Sequence, residues 1–176
     1  FLILVSLLVG SISVMANDNS SKYYLGMGMV SGSGTYTESI STSTDGASVS
    51  KNSYDSSSMP IKFGMMLDND NRFEFSYETE KYKFTGADNK ASGLNFDWNF
   101  AYPKYKIADA VTPYWTLGFG LYTYEDSANI GDNEDDLKGV AFNYGIGGLY
   151  DINKNIELEA SYKFKAITWG ERKITF

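Results

Sequence analysis

Cysteine and histidine are both absent from the 176 residues, and proline occurs only three times. Without Cys there is no disulfide, no thiolate zinc site and no thiol nucleophile. Without His the usual general base and the commonest metal ligand are missing, which excludes most familiar hydrolase constellations. Bases are also scarce, 15 against 22 acids for a net charge of -7. Phosphate binding needs clustered Lys and Arg, so no nucleic-acid partner is expected.

What the chain does have is aromatic. Fourteen Tyr and eleven Phe, with 43% hydrophobic residues overall, favour strands, because these side chains pack well on pleated surfaces. The length fits one domain and supports a closed sheet of about eight strands. The stretch RFEFSYETE shows how the strands are built: Phe73, Phe75 and Tyr77 alternate with Arg72, Glu74, Ser76 and Glu78. A period of two puts aromatics on one face and charges on the other.

The same pattern recurs along the chain. Leu94, Phe96, Trp98, Phe100 and Tyr102 oppose Asn95, Asp97 and Asn99; Trp115, Leu117, Phe119 and Leu121 oppose Thr116, Gly118 and Gly120. Ile156, Leu158, Ala160, Tyr162 and Phe164 oppose Glu157, Glu159, Ser161, Lys163 and Lys165. Seven such segments are expected, near 23–37, 59–68, 71–84, 93–107, 113–126, 137–152 and 155–169. Long polar connections (38–58, 85–92 and 127–136) alternate with short turns such as Asn153-Lys154-Asn155. Short turns at one end and long loops at the other are the rhythm of an antiparallel up-and-down barrel in an outer membrane.

The first sixteen residues, FLILVSLLVGSISVMA, carry no charge and end in Val14-Met15-Ala16, the small-x-small pattern of a signal-peptidase site. Their apolar run is shorter than the roughly 20 residues of a membrane helix. A signal peptide at 1–16 and a barrel domain at 17–176 are the expected organisation.

Alternation alone does not say which face is inside. A soluble, lipocalin-like periplasmic carrier would turn the apolar stripes inward, and a membrane barrel would turn them to lipid. The polar faces are rich in Gly (Gly26, Gly28, Gly64, Gly118, Gly120, Gly145, Gly147), which suits a narrow interior better than a solvent face. Stripe ends carry Tyr23, Phe84, Tyr102, Trp115, Tyr150 and Trp169, as aromatic girdles would. The lipid-facing set is therefore Phe73, Phe75, Tyr77, Phe96, Trp98, Phe100, Trp115, Leu117, Phe119, Leu158, Tyr162 and Phe164. The interior polar set is Lys62, Arg72, Glu74, Glu78, Asp97, Glu157, Glu159, Lys163 and Lys165, whose charges need one another as partners. Such a network either fills the barrel or lines a small pore.

The stretches VMA, YYLGMGMV, FGMMLDNDNRFEFSYE and GIGGLYDINKNIELEASYKF, with the loop alternation, make the chain resemble small outer-membrane barrels of the opacity-protein and OmpA-transmembrane-domain type, a group also called porin-like. The resemblance implies eight strands, a Gram-negative outer membrane, and a role in envelope integrity, adhesion or limited permeability. It also implies lipid, lipopolysaccharide and the barrel-assembly machinery as partners, with a host or matrix surface as a further one. Only seven residues follow Trp169, too few for a loop and another spanning strand, so the eighth strand and the natural start are expected to lie outside this sequence.

Catalysis finds no support. Glu157 and Glu159 share a face, but strand alternation produces that spacing by itself. The loop Asp132-Asn133-Glu134-Asp135-Asp136 offers calcium-like oxygens without the spaced pattern and Gly of an EF-hand. No catalytic residue, cofactor or metal site is expected, and the protein reads as a non-enzyme acting through its outer loops, or as a small channel.

Overall fold

A computed structural model describes residues 2–18, 21–40, 48–67, 70–84, 87–125 and 137–170. They form nine antiparallel strands: β1 (Leu2–Asp18), β2 (Ser21–Ile40), β3 (Ser48–Ser58), β4 (Ile61–Met66), β5 (Arg72–Phe84), β6 (Ala87–Ala101), β7 (Val111–Glu125), β8 (Leu137–Asn153) and β9 (Ile156–Trp169). The sheet closes on itself, since β1 pairs with β2 on one side and β9 on the other. One 3-10 turn, Pro103–Tyr105, is the only helical element among the described residues.

Nine strands make an eight-stave barrel because β3 and β4 share one stave. Both lie between β2 and β5, β3 at one level and β4 below it. Met59 and Pro60 interrupt the stave, as expected where proline withholds an N–H from the ladder, while the Pro60 carbonyl still accepts from Gly28 N at 3.0 Å.

The turns follow local chemistry. Asn153 Oδ1 accepts from the backbone N–H of Asn155 (2.9 Å) and Ile156 (3.0 Å), closing the β8–β9 hairpin. At the β4–β5 turn Asp70 takes a left-handed φ of 63°, which its short polar side chain tolerates. These turns lie at one end of the barrel, the turn end. The other end, where β2, β5 and β7 finish and β3, β6 and β8 begin, is the loop end.

The outward face is apolar in the middle and polar above. Phe73, Phe75, Tyr77, Trp98, Trp115, Leu117, Phe119, Leu158 and Tyr162 are exposed on the wall. Phe96, Phe100 and Phe164 share that face half-covered by their neighbours. Directly paired rings stack across strands, Phe73 on Trp98 at 5.4 Å, Phe96 on Phe119 at 5.1 Å and Phe100 on Trp115 at 4.0 Å. Such pairs contribute about 0.2–1 kcal/mol each. With apolar stripes outside and charges inside, a lipocalin-like carrier is ruled out.

The structure corrects several expectations. Residues 48–58, expected as loop, form β3, and β6 begins at Ala87 rather than near 93. In this structure Leu2–Asp18, a stretch that takes in most of the proposed signal peptide, is a strand paired on both edges and forms the eighth stave. Trp169, expected at a lipid girdle, points inward and is buried against Tyr122 and Tyr124. The acidic stretch Asp132–Asp136 lies outside the described residues.

Candidate functional site

Alternation sends one side chain in two into the lumen, and closure brings faces from all staves together. All nine residues of the expected polar set, Lys62, Arg72, Glu74, Glu78, Asp97, Glu157, Glu159, Lys163 and Lys165, are buried there. They assemble by pairing across the barrel, not along one strand. Arg72 on β5 binds Glu157 on β9 through two parallel contacts of 2.5 and 2.6 Å, the fork geometry that suits guanidinium to carboxylate. Above it, Lys62 on β4 bridges Glu74 (3.3 Å) and Glu159. Lys163 pairs with Asp97 at 3.0 Å. Nearest the loop end, Lys165 bridges Glu78 (2.5 Å) and Glu80 (3.1 Å).

Tyrosine hydroxyls complete the carboxylate shells. Tyr24 donates to Glu74 at 2.9 Å, Tyr114 to Glu159 at 2.5 Å and Tyr82 to Glu80 at 2.9 Å, while Tyr122 donates to Glu78. Three of these rings, Tyr24, Tyr114 and Tyr122, lie over glycines directly across the ladder, Gly64, Gly147 and Gly93. A methyl group at Gly64 would sit 1.9 Å from the Tyr24 ring, and one at Gly93 would sit 2.4 Å from Tyr122. The luminal glycines are thus the floor on which the tyrosines rest. Asn95 donates to Glu78 at 3.0 Å, and Asn143 donates to Asn95 at 3.1 Å, linking the tiers.

Above the ions an apolar plug spans the loop end. Val30, Tyr54, Tyr82, Tyr122, Ile167 and Trp169 pack together, with Tyr54 and Tyr82 edge to face at 5.3 Å. A smaller cluster of Ala101, Tyr114 and Leu149 sits toward the turn end. The cavity left among Lys62, Glu74, Asp97 and Lys163 is about 40 Å³, room for one or two waters. Outside, a groove of about 1240 Å³ crosses the wall over Gly10, Ala160 and Gly148, which sit side by side on β1, β9 and β8.

Sequence reasoning missed Glu80, although it continues the parity of Glu74 and Glu78, and it missed the four tyrosines. Tyr24 could have been found by its parity with Gly26 and Gly28, and Tyr122 by its parity with Gly118 and Gly120.

A family model described as the outer membrane protein beta-barrel domain matches residues 2–171. The chain belongs to that family. Members of the outer membrane beta-barrel family reside in the bacterial outer membrane, and so does this protein. In such barrels short turns face the periplasm and loops face outward. No curated protein matches the chain in sequence.

Among solved structures, the outer membrane protein OmpT of Vibrio cholerae, in a trimer form, is similar at a TM-score of 0.31 and 8% identity, over 91% of this chain and 64% of its own. The beta domain of the Bordetella autotransporter BrkA gives 0.33 and 10%, over 94% and 97%. Ail, the attachment invasion locus protein of Yersinia pestis, gives 0.17 and 6%, over 93% and 97%. These likenesses concern fold alone. The expectation of a non-enzyme is not upheld, because what holds is membership of the family and a relation of fold, and neither decides whether the chain is catalytic.

Proposed function

We propose that this barrel is a sealed outer-membrane scaffold that works through the surface at its loop end. The observation that carries the reading is the filled lumen: a paired ion network across the middle, an apolar plug above it, and a residual cavity of about 40 Å³. A barrel of eight staves is just wide enough to be filled by its own side chains. Its rigidity holds β2, β3, β5 and β6 where they extend beyond the apolar band, and the polar outward positions there, such as Lys51, Lys81 and Lys83, suit contact with envelope components, lipopolysaccharide or a host or matrix surface.

The sealed barrel includes β1, so the scaffold proposed here is the form in which residues 1–16, read from the sequence as an export signal, stay in the ring between β9 and β2. The assembly machinery of the outer membrane is the corresponding partner. The test is reconstitution of the purified protein into planar bilayers, with cells displaying it assayed in parallel for attachment to host cells and matrix proteins. Silent bilayers with attachment that depends on the loop-end strands are expected. Discrete conductance steps would overturn the sealed-scaffold reading in favour of a small channel.

A further inference from the structure

On the outward face of β5 to β8 the wall changes from apolar to charged within two rungs of the ladder. Tyr77, Leu94, Leu121 and Val140 are consecutive cross-strand partners, and all four are exposed. The next rung toward the loop end is Thr79, Ser92, Thr123 and Lys138, and the Tyr77 hydroxyl hydrogen-bonds to Thr79 and Ser92. The rung beyond carries Lys81, Lys90 and Glu125.

A groove of about 720 Å³ lies at this boundary, where the side chains of Ser92, Thr123 and Thr168 are short. Leu94, Leu121 and Val140 line its apolar part, and Lys138 lines it toward the loop end. Because these side chains point out of the wall, the groove opens sideways into the membrane.

The net charge of the chain is -7, yet cations gather around this groove. Among the described residues the outward loop-end positions hold Lys51, Lys81, Lys83, Lys90 and Lys138 against Asp55 and Glu125. Asp55 stands across from Lys83, and Glu125 across from Lys90. Lys81 and Lys90 oppose each other directly, and like charges at such positions repel. Among the described residues none of Lys81, Lys90 and Lys138 forms an ion pair.

We propose that this groove binds one phosphorylated glycolipid of the outer leaflet, with an acyl chain along Leu94, Leu121 and Val140 and a phosphate held between Lys90 and Lys138. The site rests on the reading of the loop end as the contact surface of the barrel, and it gives that surface a definite lipid partner. Lys90 and Lys138 are two strands apart, about 10 Å across the sheet, so their flexible four-carbon stems can converge on one headgroup. The same phosphate relieves the repulsion between Lys81 and Lys90. A soluble anion would leave the groove unfilled, and a neutral lipid would leave the lysines without a countercharge. Glu125 works against the headgroup from beside Lys90.

Native mass spectrometry of the full folded chain, released from detergent micelles and titrated with bis-phosphorylated lipid A, tests the site. One saturable adduct is expected, and much weaker binding of dephosphorylated lipid A and of inorganic phosphate. Lys90→Gln combined with Lys138→Gln should weaken the adduct about 25-fold, about fivefold for each lysine near an anionic headgroup. Val140→Trp, which fills the groove and keeps every lysine, should weaken it as well. Glu125→Gln should strengthen it, a gain that no folding defect imitates. Lys51→Gln, at the same end but outside the groove, should bind like the wild type. The proposal is overturned if Lys51→Gln weakens binding as much as Lys90→Gln, which is the behaviour of diffuse surface charge, or if the double lysine variant binds like the wild type. Planar-bilayer conductance of the same proteins is read separately, so failure of the lipid site and failure of the sealed-scaffold reading do not look alike.

Discussion

The lumen and the outer wall are built from the same strands, and they hold the barrel together in opposite ways. On the wall, Phe73, Trp98, Phe119 and their neighbours contribute area and ring stacking, and any apolar side chain of similar size would serve. In the lumen each group has a named partner: Arg72 has Glu157, Lys163 has Asp97, and each bridged glutamate has its own tyrosine. The wall is additive and forgiving, the lumen specific and unforgiving, because an unpaired ion has no water to turn to.

The comparison is broken most severely by removing one partner in the lumen. Arg72→Met leaves Glu157 buried without its fork, and a loss of about 3–5 kcal/mol in urea unfolding from vesicles is expected. A charge on the wall comes next. Phe119→Arg, in the middle of the lipid-facing band, should cost about 2–4 kcal/mol in the same assay. Gly64→Ala tests the tyrosine floor: the added methyl displaces the Tyr24 ring, with an expected loss of about 1–3 kcal/mol and a loosened contact to Glu74. The smallest effect belongs to a conservative wall change. Phe100→Leu keeps the apolar area but loses the stack on Trp115, which should cost about 0.5–1.5 kcal/mol and leave the luminal network intact. If Phe100→Leu proves as damaging as Arg72→Met, the division between the two faces is wrong.

Legibility in the sequence followed the lipid. Where one face meets hydrocarbon and the other meets the lumen, as in β5, β6, β7 and β9, period-two alternation is strong and the facing of the side chains could be read, except for Trp169 at the end of β9. Where a strand rises above the band, both faces are polar and the signal vanishes. Ser48–Ser58 is the case in point: Ser53, Asp55 and Ser57 point to water, and Ser56 and Ser58 point inward, so a paired strand read as a loop. A different case is Leu2–Asp18, where both kinds of position are apolar or small. Leu7 and Val9 face in and Ile12 and Val14 face out, which hides the period and matches an export signal in composition. Glu80 was overlooked because Thr79 and Lys81 ended the aromatic stripe that had identified its strand.

By itself the sequence determined that the chain is all-β, that its strands turn aromatics to one face, and that Lys62, Arg72, Asp97 and the rest of the polar set share the other, because side-chain facing is a local consequence of strand geometry. Only the tertiary structure decided which lysine meets which glutamate, that two lysines serve four glutamates, that tyrosines lie on glycines, and that Leu2–Asp18 closes the ring. Those contacts join residues on different staves, 97 positions apart for Lys62 and Glu159. They depend on the stagger and curvature of the closed sheet, which no single strand encodes.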